Sequence, residues 1–192
     1  MLKTFKRICV YCGSSNHVDQ HYLDIAEQLG HQLAKHKIEL VYGGGKVGMM
    51  KKVADGVLAA GGQVTGVITE HLRQLELAHN EIQTLHITES MHQRKFLMAQ
   101  LSDAFVALPG GFGTLEELAE AATWTQLNIH SKPVGVLNID GFFDDLRKWI
   151  EHSSKLGFIR PAHRNLIHFA TSFEQLLHSF QNTQYSPLKQ SL

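Results

Sequence analysis

The sequence predicts an α/β fold: a single Rossmann-like domain whose parallel sheet carries helices on both faces. Three observations predict it. Short apolar runs alternate with longer stretches of helical periodicity. The run at residues 104–108, Ala-Phe-Val-Ala-Leu, is continuously apolar, as a parallel strand buried on both faces must be. Finally, Gly43, Gly44, Gly45, Gly48, Gly110, Gly111 and Gly113 crowd into two junctions where a strand-like run gives way to a helical one.

Residues 8–12 read as the first strand, and residues 19–36 carry Tyr22, Ile25, Ala26, Leu29 and Leu33 at helical spacing. A strand at 38–42, a helix at 47–60 and a strand at 64–68 follow. The polar stretch 69–81 contains a short helix. Residues 82–86 are strand-like, and 90–101 are helical, with Ser90-x-x-Gln93 as a capping box. Strand 104–108 leads to a long helix at 114–130. A strand at 134–138, a helix at 142–156, a strand at 166–170 and a helix at 172–180 complete the domain, which is expected to span 1–180. Residues 181–192 are polar, contain Pro187 and are expected to form a flexible tail.

Composition narrows the function. The 192 residues suit one domain, and 43% hydrophobic with 19% charged residues excludes a disordered chain. Lys plus Arg and Asp plus Glu are both 18, so zero net charge gives no electrostatic reason for a nucleic-acid or membrane partner. Cys9 and Cys12 form a C-x-x-C, but three-residue spacing within a strand points them to opposite faces, as small core residues. The apolar run after Lys3, Lys6 and Arg7 is too short for a signal peptide or a membrane helix, so the expected location is cytoplasmic. The thirteen histidines lack metal-ligand spacing, and scattered surface positions are expected for them. The helix at 114–130, apolar and bearing Trp124, is the expected contribution to a subunit interface.

In an open parallel sheet, ligands bind beyond the carboxyl ends of the strands. Gly43-x-Gly45-x-x-Gly48, with Glu70 about twenty residues on, matches a dinucleotide fingerprint. Tight turns and close helix packing explain the same glycines. The second loop, Pro109-Gly110-Gly111-Phe112-Gly113-Thr114-Leu115-Glu116-Glu117, aims uncovered backbone N–H groups and the Thr114 hydroxyl at the positive end of a helix. That arrangement can cradle a phosphate, with Glu117 one turn away near a ribose C1′. Thr114-x-x-Glu117 is equally a helix capping box, and spacing alone leaves both readings open. Arg94, in Met91-His92-Gln93-Arg94-Lys95, lies in the first turns of its helix, where a cation opposes the helix dipole unless an anion offsets it. A solvated Arg on a helix face is the competing reading.

Together, Tyr42-Gly43-Gly44-Gly45, Met91-His92-Gln93-Arg94-Lys95 and the Pro109–Glu117 string resemble the LOG family, as do Cys12-Gly13-Ser14-Ser15 and Trp124-x-x-Leu127-x-Ile129-His130-x-Lys132-Pro133. These are cytokinin riboside 5′-monophosphate phosphoribohydrolases, long described as lysine decarboxylases. The resemblance implies a homodimer that hydrolyses the N-glycosidic bond of a purine nucleoside 5′-monophosphate, without a metal or an organic cofactor. It implies Arg94 and Glu117 as catalytic residues; because a nearby cation lowers a carboxylate pKa, Arg94 is expected to keep Glu117 ionised. It implies Gly111, Gly113 and Thr114 as phosphate-binding residues, and Lys95, Gly45, Ser14, Glu76 and Thr123 as further substrate-binding positions.

The sequence departs from the family where Lys51 replaces a common Gly, Thr69 a common Pro and Phe112 a frequent Tyr; these bear on substrate choice. The alternatives are a general AMP or nucleoside-monophosphate nucleosidase, a non-catalytic nucleotide-binding protein, and an oxidoreductase using residues 43–48 with Glu70. A pyridoxal-phosphate decarboxylase is disfavoured, because no lysine stands out as a Schiff-base position.

Overall fold

The computed structural model describes residues 4–75 and 77–183. Seven strands run through it: β1 (Arg7–Tyr11), β2 (Glu39–Tyr42), β3 (Val64–Thr69), β4 (Thr84–Thr88), β5 (Ala104–Ala107), β6 (Val134–Leu137) and β7 (Ile167–Ala170). They alternate with helices α1 (Gln20–Lys35), α2 (Gly48–Ala59), α3 (Glu70–Gln74), α4 (Met91–Leu101), α5 (Phe112–Gln126), α6 (Asp144–Lys155) and α7 (Phe173–Asn182). All strand pairs are parallel, in the order β4-β3-β2-β1-β5-β6-β7. The chain therefore builds outward from β1 to β4 and returns to lay β5 on the other side of β1. That reversal makes the gap between β1 and β5 the topological switch point, where such sheets bind ligands.

The pleat of β1 separates two cores. Ile8, Val10 and Cys12 face the side covered by α1, α2 and α7, whereas Cys9 and Tyr11 face α4 and α5. Both cysteines are free and buried, and burial pushes both thiols well up, so neither is poised for redox or metal chemistry. Caps set the helix starts much as expected. Asp19 accepts from His21 N at the head of α1, and Ser90 accepts from Gln93 N at the head of α4.

Several boundaries differ. β4 lies two residues later than the apolar pattern suggested, because its pairing with β3 runs from Thr84 against Thr65 to Thr88 against Thr69. Helix α5 begins at Phe112 and ends at Gln126 rather than spanning 114–130. Its end is fixed by Asn128 in the left-handed region (φ 57°) and by the Ile129 N–H on the Trp124 carbonyl. Helix α7 runs on to Asn182, and the rest of the expected tail, from 184, lies outside the described residues. Surface positions for the histidines fail at His79 and His163, which are buried. Among the described residues, no helix is long and apolar enough to cross a membrane, and no group of three or more His, Cys, Asp or Glu could hold a metal ion.

Candidate active site

Three loops leave the carboxyl ends of β1, β2 and β5 and meet at the switch point. The β1 and β5 loops are stitched together by the Gly13 N–H on the Pro109 carbonyl (3.1 Å). Gly110 is then forced: a Cβ there would lie 2.1 Å from the Thr114 hydroxyl oxygen, which folds back over it. Gly111 is the N-cap of α5 and makes no side-chain cap bond. The first helical hydrogen bond of α5 runs from Leu115 N–H to the Gly111 carbonyl (3.1 Å), so the amides of Phe112, Gly113 and Thr114 precede it. At Gly111 and Gly113 an added Cβ would meet nothing within 4 Å. Neither packing nor a left-handed φ demands a glycine at these two positions; both keep the N-terminus of α5 uncovered.

This geometry removes the capping-box reading of Thr114 and Glu117. With the cap at Gly111, both residues lie inside the helix and no Thr114–Glu117 capping box forms. Thr114 is buried in the first turn, and Glu117 is turned toward α4.

Arg94 meets it there. Arg94 is 7% exposed, so the solvated reading fails. Its Nε donates to the Val67 carbonyl (2.9 Å), Nη2 to the Gly43 carbonyl (3.2 Å) and Nη1 to Glu117 Oε1 (3.4 Å). Two carbonyls, one inside β3 and one just after β2, thus aim the third donor edge at the carboxylate. Gly43 makes this possible, since a Cβ there would lie 2.0 Å from Arg94 Nη2. The Glu117 side chain is 13% exposed. Burial pushes its pKa up to about 7. Arg94 pulls it down, Glu116 pushes it up, Lys95 pulls it down, and Glu120 pushes it up. Arg94 alone therefore does not hold Glu117 fully ionised at neutral pH, contrary to expectation: desolvation outweighs the ion pair.

The β2 loop is built differently. At the head of α2, Gly48 N–H is taken by the Asn16 side chain (2.7 Å) and Met49 N–H by the Gly13 carbonyl (3.1 Å). Residues 77–79 zip onto the loop: Lys46 N–H reaches the Leu77 carbonyl (2.8 Å) and His79 N–H the Gly44 carbonyl (2.9 Å). Glu70 is held by Arg73 and Gln74. The dinucleotide reading of residues 43–48 is disfavoured, because the Gly48 and Met49 amides that a pyrophosphate would use are already taken by protein groups.

A family model described as "Possible lysine decarboxylase" matches residues 50–180. A probable cytokinin riboside 5′-monophosphate phosphoribohydrolase of Oryza sativa subsp. japonica is 46% identical over 96% of this chain and 80% of that protein. A cytokinin riboside 5′-monophosphate phosphoribohydrolase of Arabidopsis thaliana is 47% identical over 90% of this chain and 81% of its own. The chain belongs to the LOG family. Among solved structures, the molybdenum cofactor carrier protein of Chlamydomonas reinhardtii matches with a TM-score of 0.68 at 23% identity, over 92% of this chain and 96% of that one. The molybdenum cofactor binding protein of Rippkaea orientalis gives 0.69 at 24% identity, over 92% and 95%. At these identities the likeness is one of fold.

The LOG-family positions distribute unevenly over this site. Arg94, Glu117, Thr114, Gly111 and Gly113 converge. Ser14 is exposed and packs its backbone over Gly48, where an added Cβ would lie 2.7 Å from the Ser14 carbonyl carbon. Gly45 is buried in a bridge to Ala78. Lys95 is turned away, onto Glu116 and Glu120. Thr123 is on another stripe of α5 and lines a cavity against α6. Glu76 lies outside the described residues. Of the departures from the LOG pattern, Phe112 stands 94% exposed at the first position of α5, Thr69 caps α3 by accepting from Leu72 N–H (3.3 Å), and Lys51 pairs with Asp55. Sequence reasoning missed Glu116 and Glu120 as partners of Lys95. Their i, i+4 spacing on either side of Glu117 was the available signal.

Proposed function

We propose that this chain is a phosphoribohydrolase of the cytokinin-activating type. It cleaves the N-glycosidic bond of N6-modified adenosine 5′-monophosphate to free base and ribose 5-phosphate. The observation that carries this reading is the buried Arg94–Glu117 pair one helical turn beyond the uncovered N-terminus of α5. Glu117 is four positions on from Gly113, about 6 Å of helical rise. That matches the span from the 5′-phosphorus to C1′ in a nucleotide. The names of the LOG relatives support the same reaction.

The phosphate binds against the Gly111, Phe112, Gly113 and Thr114 backbone with the Thr114 hydroxyl, and its binding energy orients the sugar. As the C1′–N bond breaks, its electron pair leaves with the base and positive charge builds on C1′ and O4′. The Glu117 carboxylate faces that charge and takes a proton from the water whose oxygen bonds to C1′. The departing base gains a proton, so the overall change is addition of water. Arg94 holds Glu117 in position. Glu117 acts in its ionised form, so kcat/KM should climb with pH through about 7. A homodimer in the cytoplasm completes the reading. The apolar cavity of about 560 Å³ between α5 and α6, bordered by Leu115, Ala122 and the exposed Trp149, supports a subunit contact there.

The test is chromatographic detection of free base from AMP, prenylated AMP, other nucleoside monophosphates and unphosphorylated nucleosides. Base release from prenylated AMP, lost by about 1,000-fold in Glu117→Gln, is expected. Near-normal turnover in that variant would overturn the assignment to Glu117. Equal turnover of every monophosphate would make the enzyme a general nucleosidase.

A further inference from the structure

Two adjacent residues of α4 meet α5 in different ways. Arg94 turns inward to two carbonyls and Glu117. Lys95 turns along the helix pair. Its ammonium hydrogen-bonds Glu116 Oε1 and lies 2.9 Å from Glu120 Oε2, and its side chain is only 12% exposed. Burial alone would lower the Lys95 pKa, but the two carboxylates outweigh it and raise it, so the ammonium stays charged. Glu116 and Glu120 stand on the same helix as Glu117, within about one turn of it.

We propose that Lys95 is a positioning residue and not a substrate ligand: it ties α4 to α5 beside the Arg94–Glu117 pair and cancels the two carboxylates that flank Glu117. The proposal rests on the phosphoribohydrolase reading for its consequence in catalysis, though not for its geometry. Two of the three ammonium donors are already spent on Glu116 and Glu120. A substrate phosphate brought to Lys95 would have to displace them or join two carboxylates as a third anion.

The charge consequence follows from the surroundings of Glu117. Arg94 and Lys95 face it from α4. Glu116 and Glu120 act on it from its own helix. Cys9 and Tyr11 of β1, and Cys12 on the other face of the sheet, are within electrostatic reach of it, and burial holds all three neutral. Loss of the Lys95 charge leaves two uncompensated anions beside a buried carboxylate, which then keeps its proton to higher pH.

The experiment is the pH profile of kcat/KM for prenylated AMP, with 13C-glutamate NMR titration of Glu117 assigned through Glu117→Gln. Lys95→Met should move the acid limb and the Glu117 titration up by about one pH unit, an approximately tenfold loss on that limb. KM on the plateau should stay within about twofold, as for any change that spares ground-state binding. Lys95→Arg should restore the wild-type profile, and Glu116→Gln with Glu120→Gln should move it down. In that double-Gln background Lys95→Met should shift the profile by less than half as much. A KM raised tenfold or more with an unmoved limb would make Lys95 a phosphate ligand and overturn the proposal, as would an undiminished shift in the double-Gln background. The NMR titration needs no turnover. A wild-type protein without activity would sink the phosphoribohydrolase reading, while the titration would still decide the role of Lys95.

Discussion

The two glycine-rich loops carry similar spacing in different surroundings. In the β2 loop each glycine is accounted for by protein: a Cβ at Gly43 would strike Arg94, and one at Gly48 would lie 2.6 Å from the Ser15 carbonyl oxygen. Two donors at the head of the following helix, the Gly48 and Met49 N–H groups, are already bonded. In the β5 loop Gly110 is likewise forced, but Gly111 and Gly113 face nothing within 4 Å. A glycine that the fold does not require, at a helix N-terminus whose donors the fold does not use, points to a group from outside the chain. In the proposed reading the β2 loop builds the site, and the β5 loop meets the ligand.

The strongest way to break this contrast is to remove the residue that joins the two loops. Arg94→Ala would strip the Val67 and Gly43 carbonyls of their donor and leave the buried Glu117 without its nearest cation. A loss of about 3–5 kcal/mol in urea unfolding is expected, together with loss of base release. Unchanged stability would mean that Arg94 serves the ligand alone and that the β2 loop does not depend on it.

Glu117→Gln should do the reverse to stability. The folded pKa near 7 is above an unfolded value of about 4.3, so between these pH values the native state binds the extra proton. Wild-type stability from this group therefore falls as pH rises through that window, and the full penalty applies above it. The variant and wild type should melt alike near pH 4. Above pH 8 the variant should be more stable by about 3 kcal/mol, while inactive. A Glu117→Gln protein that is less stable at pH 8 would mean that the Arg94 pair, and not desolvation, dominates the site.

How far these properties were legible in the sequence depended on the range of the interactions behind them. Helix α1 was readable because its signals are local: Asp19 caps it, and Ala26, Leu29 and Leu33 recur on one buried face. The start of α5 was not, because Thr114-x-x-Glu117 imitates a cap and only the turn at Pro109 and Gly110 shows that the helix has already begun. The fate of the β2 loop was hidden for a different reason. Its glycine spacing is that of a dinucleotide site, and the group that closes it, Asn16, is 32 residues upstream. The burial of Arg94 depends in the same way on carbonyls 27 and 51 residues away. Family resemblance supplied Arg94 and Glu117 as a pair; it also drew in Lys95, whose actual partners are on the neighbouring helix.

A smaller perturbation separates packing from function inside the β2 loop. Gly48 has φ +55°, where L side chains are strained, and a Cβ there would press on the Ser14–Ser15 backbone. Gly48→Ala should cost about 2 kcal/mol, read by thermal melting, with activity falling only as far as the folded fraction does. A selective rise in KM without a stability loss would assign the loop to the ligand after all.

The mildest substitution makes the sharpest comparison. Gly113 lies in the first turn of α5, at a helical φ, with open space where its Cβ would be. Removing a helical glycine raises stability by up to about 1 kcal/mol, because alanine loses less backbone entropy on folding. Gly113→Ala should therefore melt slightly higher than wild type. The same methyl group stands among the amides of Phe112, Gly113 and Thr114 that the phosphate of the proposed substrate would approach, so KM for the nucleotide should rise by about tenfold or more. Opposite signs in two measurements on one methyl are expected only if the space it fills belongs to a ligand. A variant that is more stable and binds nucleotide as before would move the phosphate away from this helix end, and the contrast between the two loops would lose its functional half.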